Sequence, residues 1–219
     1  MTKWYSSAMV ITYYGHAYFK LTLGDLTIAI NPPAKDSKSF PKPPRFGADI
    51  ALVTTHTPEY MGTDTVALGD KEPFVIDGPG NYEARGLFFT GAESRVTIEG
   101  KQYINTVYAF ELDNIKIGLM GIIADETTLS KEAKELLAGA DMIFVPVGGT
   151  HTMDAATAYK IATSYDANVI VPYDYTADSL KRFLKEGGQE KNESVDKATL
   201  KRRDLDGKEG HILVLDPQA

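Results

Sequence analysis

The sequence predicts an α/β fold in one domain, residues 1–219, with two sheets face to face and helices outside. Three observations point there. Short apolar runs separated by turn residues fill the chain up to Met120. Three helical patterns come after it. No linker divides the chain, because its one Pro-rich stretch lies between strands of a single pattern.

The elements follow in order. Met9 to Tyr13 and Tyr18 to Leu23 read as strands joined at Gly15-His16-Ala17, and Gly24-Asp25 makes a tight hairpin into Leu26 to Ile30. The stretch from Asn31 to Pro44 holds five of the eleven prolines and must be a surface loop. Ile50 to Val53 is a buried strand that breaks into the polar loop Thr54-Thr55-His56-Thr57-Pro58-Glu59-Tyr60. Pro73 to Ile76 is a further strand and Gly78 to Glu83 a turn. A meander follows at Gly86 to Thr90, Arg95 to Ile98, Tyr103 to Leu112 and Ile115 to Met120. Thr128 to Leu137 places Leu129, Ala133, Leu136 and Leu137 on one helical face, and Gly139 ends it. Strand Met142 to Val147 leads through Gly148-Gly149 to a helix from Ala155 to about Tyr165, capped by Thr152 or Asp154. Val169 to Val171 is a strand and Ala177 to Lys185 a helix with Leu180, Phe183 and Leu184 inward. The chain closes with strands near Ala198 to Arg202 and Ile212 to Leu215.

Composition narrows the function. A net charge of −7 argues against nucleic acid as a partner, since that binding needs Lys and Arg to neutralise phosphates. With no cysteine, disulfides, thiolate zinc sites and Cys nucleophiles are excluded. No run approaches the ~20 apolar residues of a membrane span. Met-Thr-Lys-Trp-Tyr-Ser-Ser lacks the apolar segment of a secretory signal, so the cytoplasm is the expected location.

Four places put polar residues just past a strand end: Gly15-His16-Ala17, Thr54 to Tyr60, Gly148 to Met153, and Pro172-Tyr173-Asp174-Tyr175. Loops at strand ends gather into common sites in layered folds. Here the sequence resembles the metallo-β-lactamase superfamily, in the branch of ascorbate-phosphate lactonase and small Zn-dependent hydrolases. The resemblance spans about residues 9 to 186. It rests on Gly15-His16-Ala17-Tyr18-Phe19, Ile30-Asn31-Pro32, Gly78-Pro79-Gly80-Asn81-Tyr82-Glu83 and Pro146-Val147-Gly148-Gly149-Thr150-His151-Thr152-Met153. It implies a four-layer αβ/βα sandwich with the site at one edge of the two sheets. It also implies two-metal hydrolysis, in which the metals activate bound water and stabilise the developing oxyanion.

The ligand positions of that chemistry are altered. Against the family's His-x-His-x-Asp-His, this chain has Thr55, Thr57, Glu59 and Tyr60, with His56 where a Gly usually sits. Ile122 stands for the bridging carboxylate and Asp174 for the final His. Four histidines exist in all, His16, His56, His151 and His211, against the roughly five imidazoles of the dinuclear site. These residues leave three readings. The first is a metal-free relative, a pseudoenzyme whose cleft serves binding or an interface, with no metal cofactor. The second is a hydrolase of a small phospho-ester or lactone, holding one zinc or other divalent metal through His56, Glu59, His151 and Asp174. The third is metal-free catalysis with His56 or His151 as general base and Thr54, Thr55 or Thr57 as nucleophile, Glu59 being a further candidate catalytic residue. A small-molecule ligand is the expected partner. The twelve tyrosines are compatible with self-association into a homo-oligomer.

Overall fold

The computed structural model describes residues 8–40, 42–148 and 151–218. The chain runs through β1 (Met9–Gly15), β2 (Tyr18–Leu23), β3 (Leu26–Ile30), β4 (Ile50–Leu52), β5 (Phe74–Ile76), β6 (Gly80–Ala84), β7 (Leu87–Ile98), β8 (Lys101–Leu112) and β9 (Ile115–Leu119). It continues with α1 (Lys131–Leu137), β10 (Met142–Pro146), α2 (Ala155–Thr163), β11 (Val169–Tyr173), α3 (Ala177–Glu186), β12 (Lys197–Leu200) and β13 (His211–Ile212). Six strands form one sheet in the order β12-β1-β2-β3-β4-β5. Seven form the other in the order β13-β11-β10-β9-β8-β7-β6. Among the described residues no helix is long and apolar enough to cross a membrane.

Strand alternation builds the sandwich. In β2, Phe19 and Leu21 face the other sheet while Lys20 and Thr22 face out, and Ile28 and Ile30 of β3 continue the inner row. From the second sheet Tyr108, Ile117, Phe144 and Val171 meet them, and all are essentially inaccessible to solvent. At about 25 cal/mol per Å² of apolar surface removed from water, this layer is the main stabiliser of the fold. The meander turns suit the right-handed twist of the strands: Arg85-Gly86, Glu99-Gly100 and Asp113-Asn114 all hold two consecutive residues at positive φ.

The α1, α2 and α3 helices all pack on the second sheet, through Ala133, Leu137, Ala158, Ile161 and Phe183. Ser130 Oγ caps α1 through Ala133 N, Asp154 caps α2, and Thr176 with Ser179 closes a capping box on α3. Among the described residues no α-helix lies on the outer face of the first sheet. Residues 31–40 and 42–48 and a 3₁₀ turn at Thr63–Val66 cover it instead, seating Phe40, Phe46 and Val66 on Tyr18, Ala29 and Ala51. The αβ/βα sandwich is present, with this layer built from loop. Small Ala29 and Ala51 leave a shallow surface that a proline-rich segment can cover.

Boundaries depart from the expectation in several places. The last strand is His211–Ile212 rather than Ile212 to Leu215, because only these two residues pair with β11. The β12 strand is Lys197–Leu200 rather than Ala198 to Arg202, because Arg202 opens a 3₁₀ turn. Gly80 to Ala84 is a strand rather than part of a turn, because its Gly80 and Asn81 pair with Gly91 and Thr90. Leu87 to Ile98 is one long strand, since β8 pairs along it without interruption from Phe89↔Phe110 to Ile98↔Lys101. The first helix starts at Lys131 and not Thr128, because Ser130 is its cap and Leu129 lies opposite Ser94 in an isolated bridge.

Candidate functional site

β4 ends at Leu52, but Val53 N still donates to Ile76 O (2.8 Å), so the loop leaves from a fixed point. Thr54 is held from both sides. Its N–H and hydroxyl donate to Asn31 Oδ1 (2.8 and 3.0 Å), and its carbonyl accepts from Thr106 N (2.8 Å). Thr55 then turns inward and donates its hydroxyl to Asn105 Oδ1 at 3.1 Å.

Asn105 is the centre of this edge. It is fully buried in β8. Its Oδ1 accepts from Thr55 Oγ1 and from Ile122 N (2.8 Å), and its Nδ2 donates to Ser94 Oγ (2.7 Å) and Met120 O (2.9 Å). One neutral amide therefore ties the loop after β4 to the loop after β9 with all four of its hydrogen-bonding sites used. Gly121 admits this: at φ +71°, it lies where an added Cβ would stand 2.1 Å from Asn105 Oδ1.

Ile122 and Tyr60 fill the space beside this knot. Both are buried and belong to the inter-sheet core together with Tyr13 and Tyr173. Tyr173 donates its hydroxyl to Gly121 O. Burial pushes the Tyr60 phenol well above its ordinary range, and the nearby Asp174 and Glu59 carboxylates push it the same way, so it stays protonated.

Asp174 and His16 face each other at the rim. His16 Nδ1 lies 3.3 Å from Asp174 Oδ1, Asp174 N donates to His16 O (2.9 Å), and Tyr13 Oη donates to the same carbonyl (2.9 Å). Both residues have positive φ, +48° and +53°, and so does Asn31 at +49°. The five other non-glycine residues with positive φ, at 85, 99, 113, 114 and 166, stand away from this edge. Asn, Asp and His enter this left-handed region more readily than other side chains, and here they turn the chain at three strand ends of one edge. The hydrogen bond to Asp174 raises the His16 pKa against the opposing effect of burial, and Glu59 adds to the rise. Two buried polar atoms on these loops, Asn31 Nδ2 and Thr57 Oγ1, have no hydrogen-bond partner among the described residues.

The remaining sequence candidates lie apart. His56 is exposed and donates from Nε2 to Asp77 O at 2.7 Å, with Asp77 Oδ2 at 3.5 Å. His151 is half-buried, and Gly149 and Thr150 before it lie outside the described residues. Glu59 lies close enough to act on His16, the partner of Asp174, whereas His56 is held at Asp77 instead. Among the described residues no three His, Asp or Glu side chains form a group able to hold a metal ion. Residues 1–7, 41, 149–150 and 219 contain no residue of those types. The residues present do not fit a two-metal centre: Thr55, Ile122 and Tyr60 supply no imidazole and no carboxylate, and His16, Glu59 and Asp174 beside them form no group able to hold a metal ion.

Sequence reasoning missed Asn105 and the pairing of His16 with Asp174. The signal for the first was available. An Asn in the middle of the run Tyr103 to Phe110 is disfavoured in a strand and marks a polar duty there. The second had none, since 158 positions separate the partners.

Comparison with known proteins agrees with this fold. Residues 10–174 match the family described as beta-lactamase superfamily domain. A structure from Thermotoga maritima, named as a candidate Zn-dependent hydrolase of the metallo-β-lactamase superfamily, superposes with a TM-score of 0.69 at 26% identity, covering 94% of this chain and 98% of that one. A candidate metal-dependent hydrolase from Parabacteroides distasonis gives 0.61 at 20% identity, covering 82% and 90%. Igni18, a metallo hydrolase from Ignicoccus hospitalis, gives 0.62 at 17% identity, covering 97% of each. The chain belongs to the β-lactamase superfamily.

Proposed function

We propose that this protein is a non-hydrolytic member of the superfamily, acting in the cytoplasm as a binding or interaction protein. One observation carries the reading: Asn105 holds Thr55 and Ile122 by the hydrogen bonds of a neutral amide, at two positions where the family places an imidazole and a bridging carboxylate. A metal cross-links these loops in the two-metal design. Here a satisfied amide does so, and Ile122 and Tyr60 exclude water from the space beside it. The names of the structural relatives favour the competing reading, a metal-dependent hydrolase of a small phospho-ester or lactone. That reading needs a donor set which the described side chains do not form.

Metal analysis of protein purified after growth with zinc, manganese and iron tests the proposal. The expected result is less than stoichiometric metal and a melting temperature that a chelator leaves unchanged. One equivalent of metal per chain, removed by chelation together with an esterase or lactonase activity, would establish the competing reading.

A further inference from the structure

We propose that β5 is a self-association edge, through which two copies of this chain pair antiparallel about Val75 and join their six-stranded sheets into one of twelve strands.

The four strands that end the two sheets are not alike. On β12 the exposed side chains are Lys197 and Thr199, and on β6 they are Asn81 and Glu83. On β13 Ile212 is buried and His211 half-buried. Polar or charged residues on an edge discourage pairing with another chain. On β5 the exposed residues are apolar: Phe74 is 49% and Val75 39% accessible, and Leu68 nearby is 54% accessible.

The backbone of this edge is complementary to itself. Phe74 N donates to Asp49 O (2.9 Å) and Ile76 O accepts from Val53 N (2.8 Å), so residues 74 and 76 spend their backbone groups on β4. Backbone groups alternate in direction along a strand, which turns those of Pro73, Val75 and Asp77 outward. Pro73 has no N–H to give. Asp77 O is already met, because His56 Nε2 donates to it at 2.7 Å. By this alternation the Val75 N–H and C=O, the Asp77 N–H and the Pro73 C=O are left to a partner strand.

A twofold axis at Val75 matches this set. The two Val75 residues exchange both of their bonds, and each Asp77 N–H meets the partner's Pro73 carbonyl. The bond that Pro73 cannot donate is the one whose acceptor His56 satisfies from within its own chain. Phe74 then lies across from the partner's Ile76, and the paired Val75 side chains cover each other on the outer face. His56 thereby has a duty at this edge rather than in hydrolysis.

Analytical ultracentrifugation of the full chain across the micromolar range, together with amide hydrogen exchange, tests the proposal. Wild type is expected at twice the chain mass of 24.0 kDa. The Val75 and Asp77 amides, which have no hydrogen-bond partner among the described residues, should be protected in that dimer. Val75→Lys sets two ammonium groups against each other across the axis. It should sediment as a monomer, exchange both amides rapidly, and keep the wild-type circular dichroism. A wild type that is monomeric throughout the range overturns the proposal. So does a dimer whose Val75 and Asp77 amides exchange freely, or one that survives Val75→Lys. If Val75→Lys does not fold, amide exchange in the wild type decides alone.

Discussion

Replacing Asn105 by Ala should cost far more than the loss of one surface polar group. The substitution removes four hydrogen bonds inside a site with no access to water. Two of the stranded partners are hydroxyls, on Thr55 and Ser94, and can rotate. The other two are the backbone N–H of Ile122 and the backbone carbonyl of Met120, whose directions are fixed by the chain. An unmet buried polar group costs about 1–3 kcal/mol, so the two backbone groups together account for about 4 kcal/mol. For a chain of this size, that lowers the melting temperature by about 8–16 °C. Urea unfolding measures the free energy directly, and an unchanged m-value shows that the denatured state is not the cause. Thr55→Val is the control. It removes one donor to Asn105 but leaves Ile122 N on the same oxygen, so it should cost about 1 kcal/mol. If Asn105→Ala costs no more than Thr55→Val, the amide is not the tie between the two loops and the account of this edge fails.

Four further outcomes are expected. Gly121→Ala should destabilise well beyond Gly139→Ala, although both glycines have φ near +70°, because only the first places its Cβ against Asn105 while the second has open space; the difference between their urea midpoints isolates that contact. His16 should titrate above the ordinary imidazole pKa of about 6.5 and His211 below it, read from ring-proton shifts by NMR, with the reverse order refuting the His16–Asp174 bond. Because the folded His16 pKa is raised, its stabilising effect is fully present below about pH 6.5 and disappears as pH rises through the raised value; Asp174→Asn should abolish that part of the pH dependence of thermal melting. Ser130→Ala removes the cap of the seven-residue α1 and should cost about 1 kcal/mol in urea unfolding, with no change at all arguing against the Ala133 N–H bond.

Most of the fold was legible because its signals are local. Alternation in Tyr18 to Leu23 and Leu26 to Ile30 sets which face is inward within a few residues. Paired turn residues such as Glu99-Gly100 mark where a strand must reverse. The departures from the family's ligand pattern, at Thr55, Thr57, Glu59, Tyr60, Ile122 and Asp174, were expected from the resemblance alone.

What replaced those ligands was decided by tertiary structure. Asn105 reads as one polar residue in a strand until folding brings Thr55, Ser94, Met120 and Ile122 around it. His16 reads as a turn residue until Asp174 arrives from the other sheet. His56 and Asp174 are both plausible ligands by type, and only the fold sends one to Asp77 and the other to His16. The physical reason is common to all three cases. Chain propensity acts over neighbouring residues, whereas a hydrogen bond is made by whichever donor and acceptor the packed sheets leave within about 3 Å of each other.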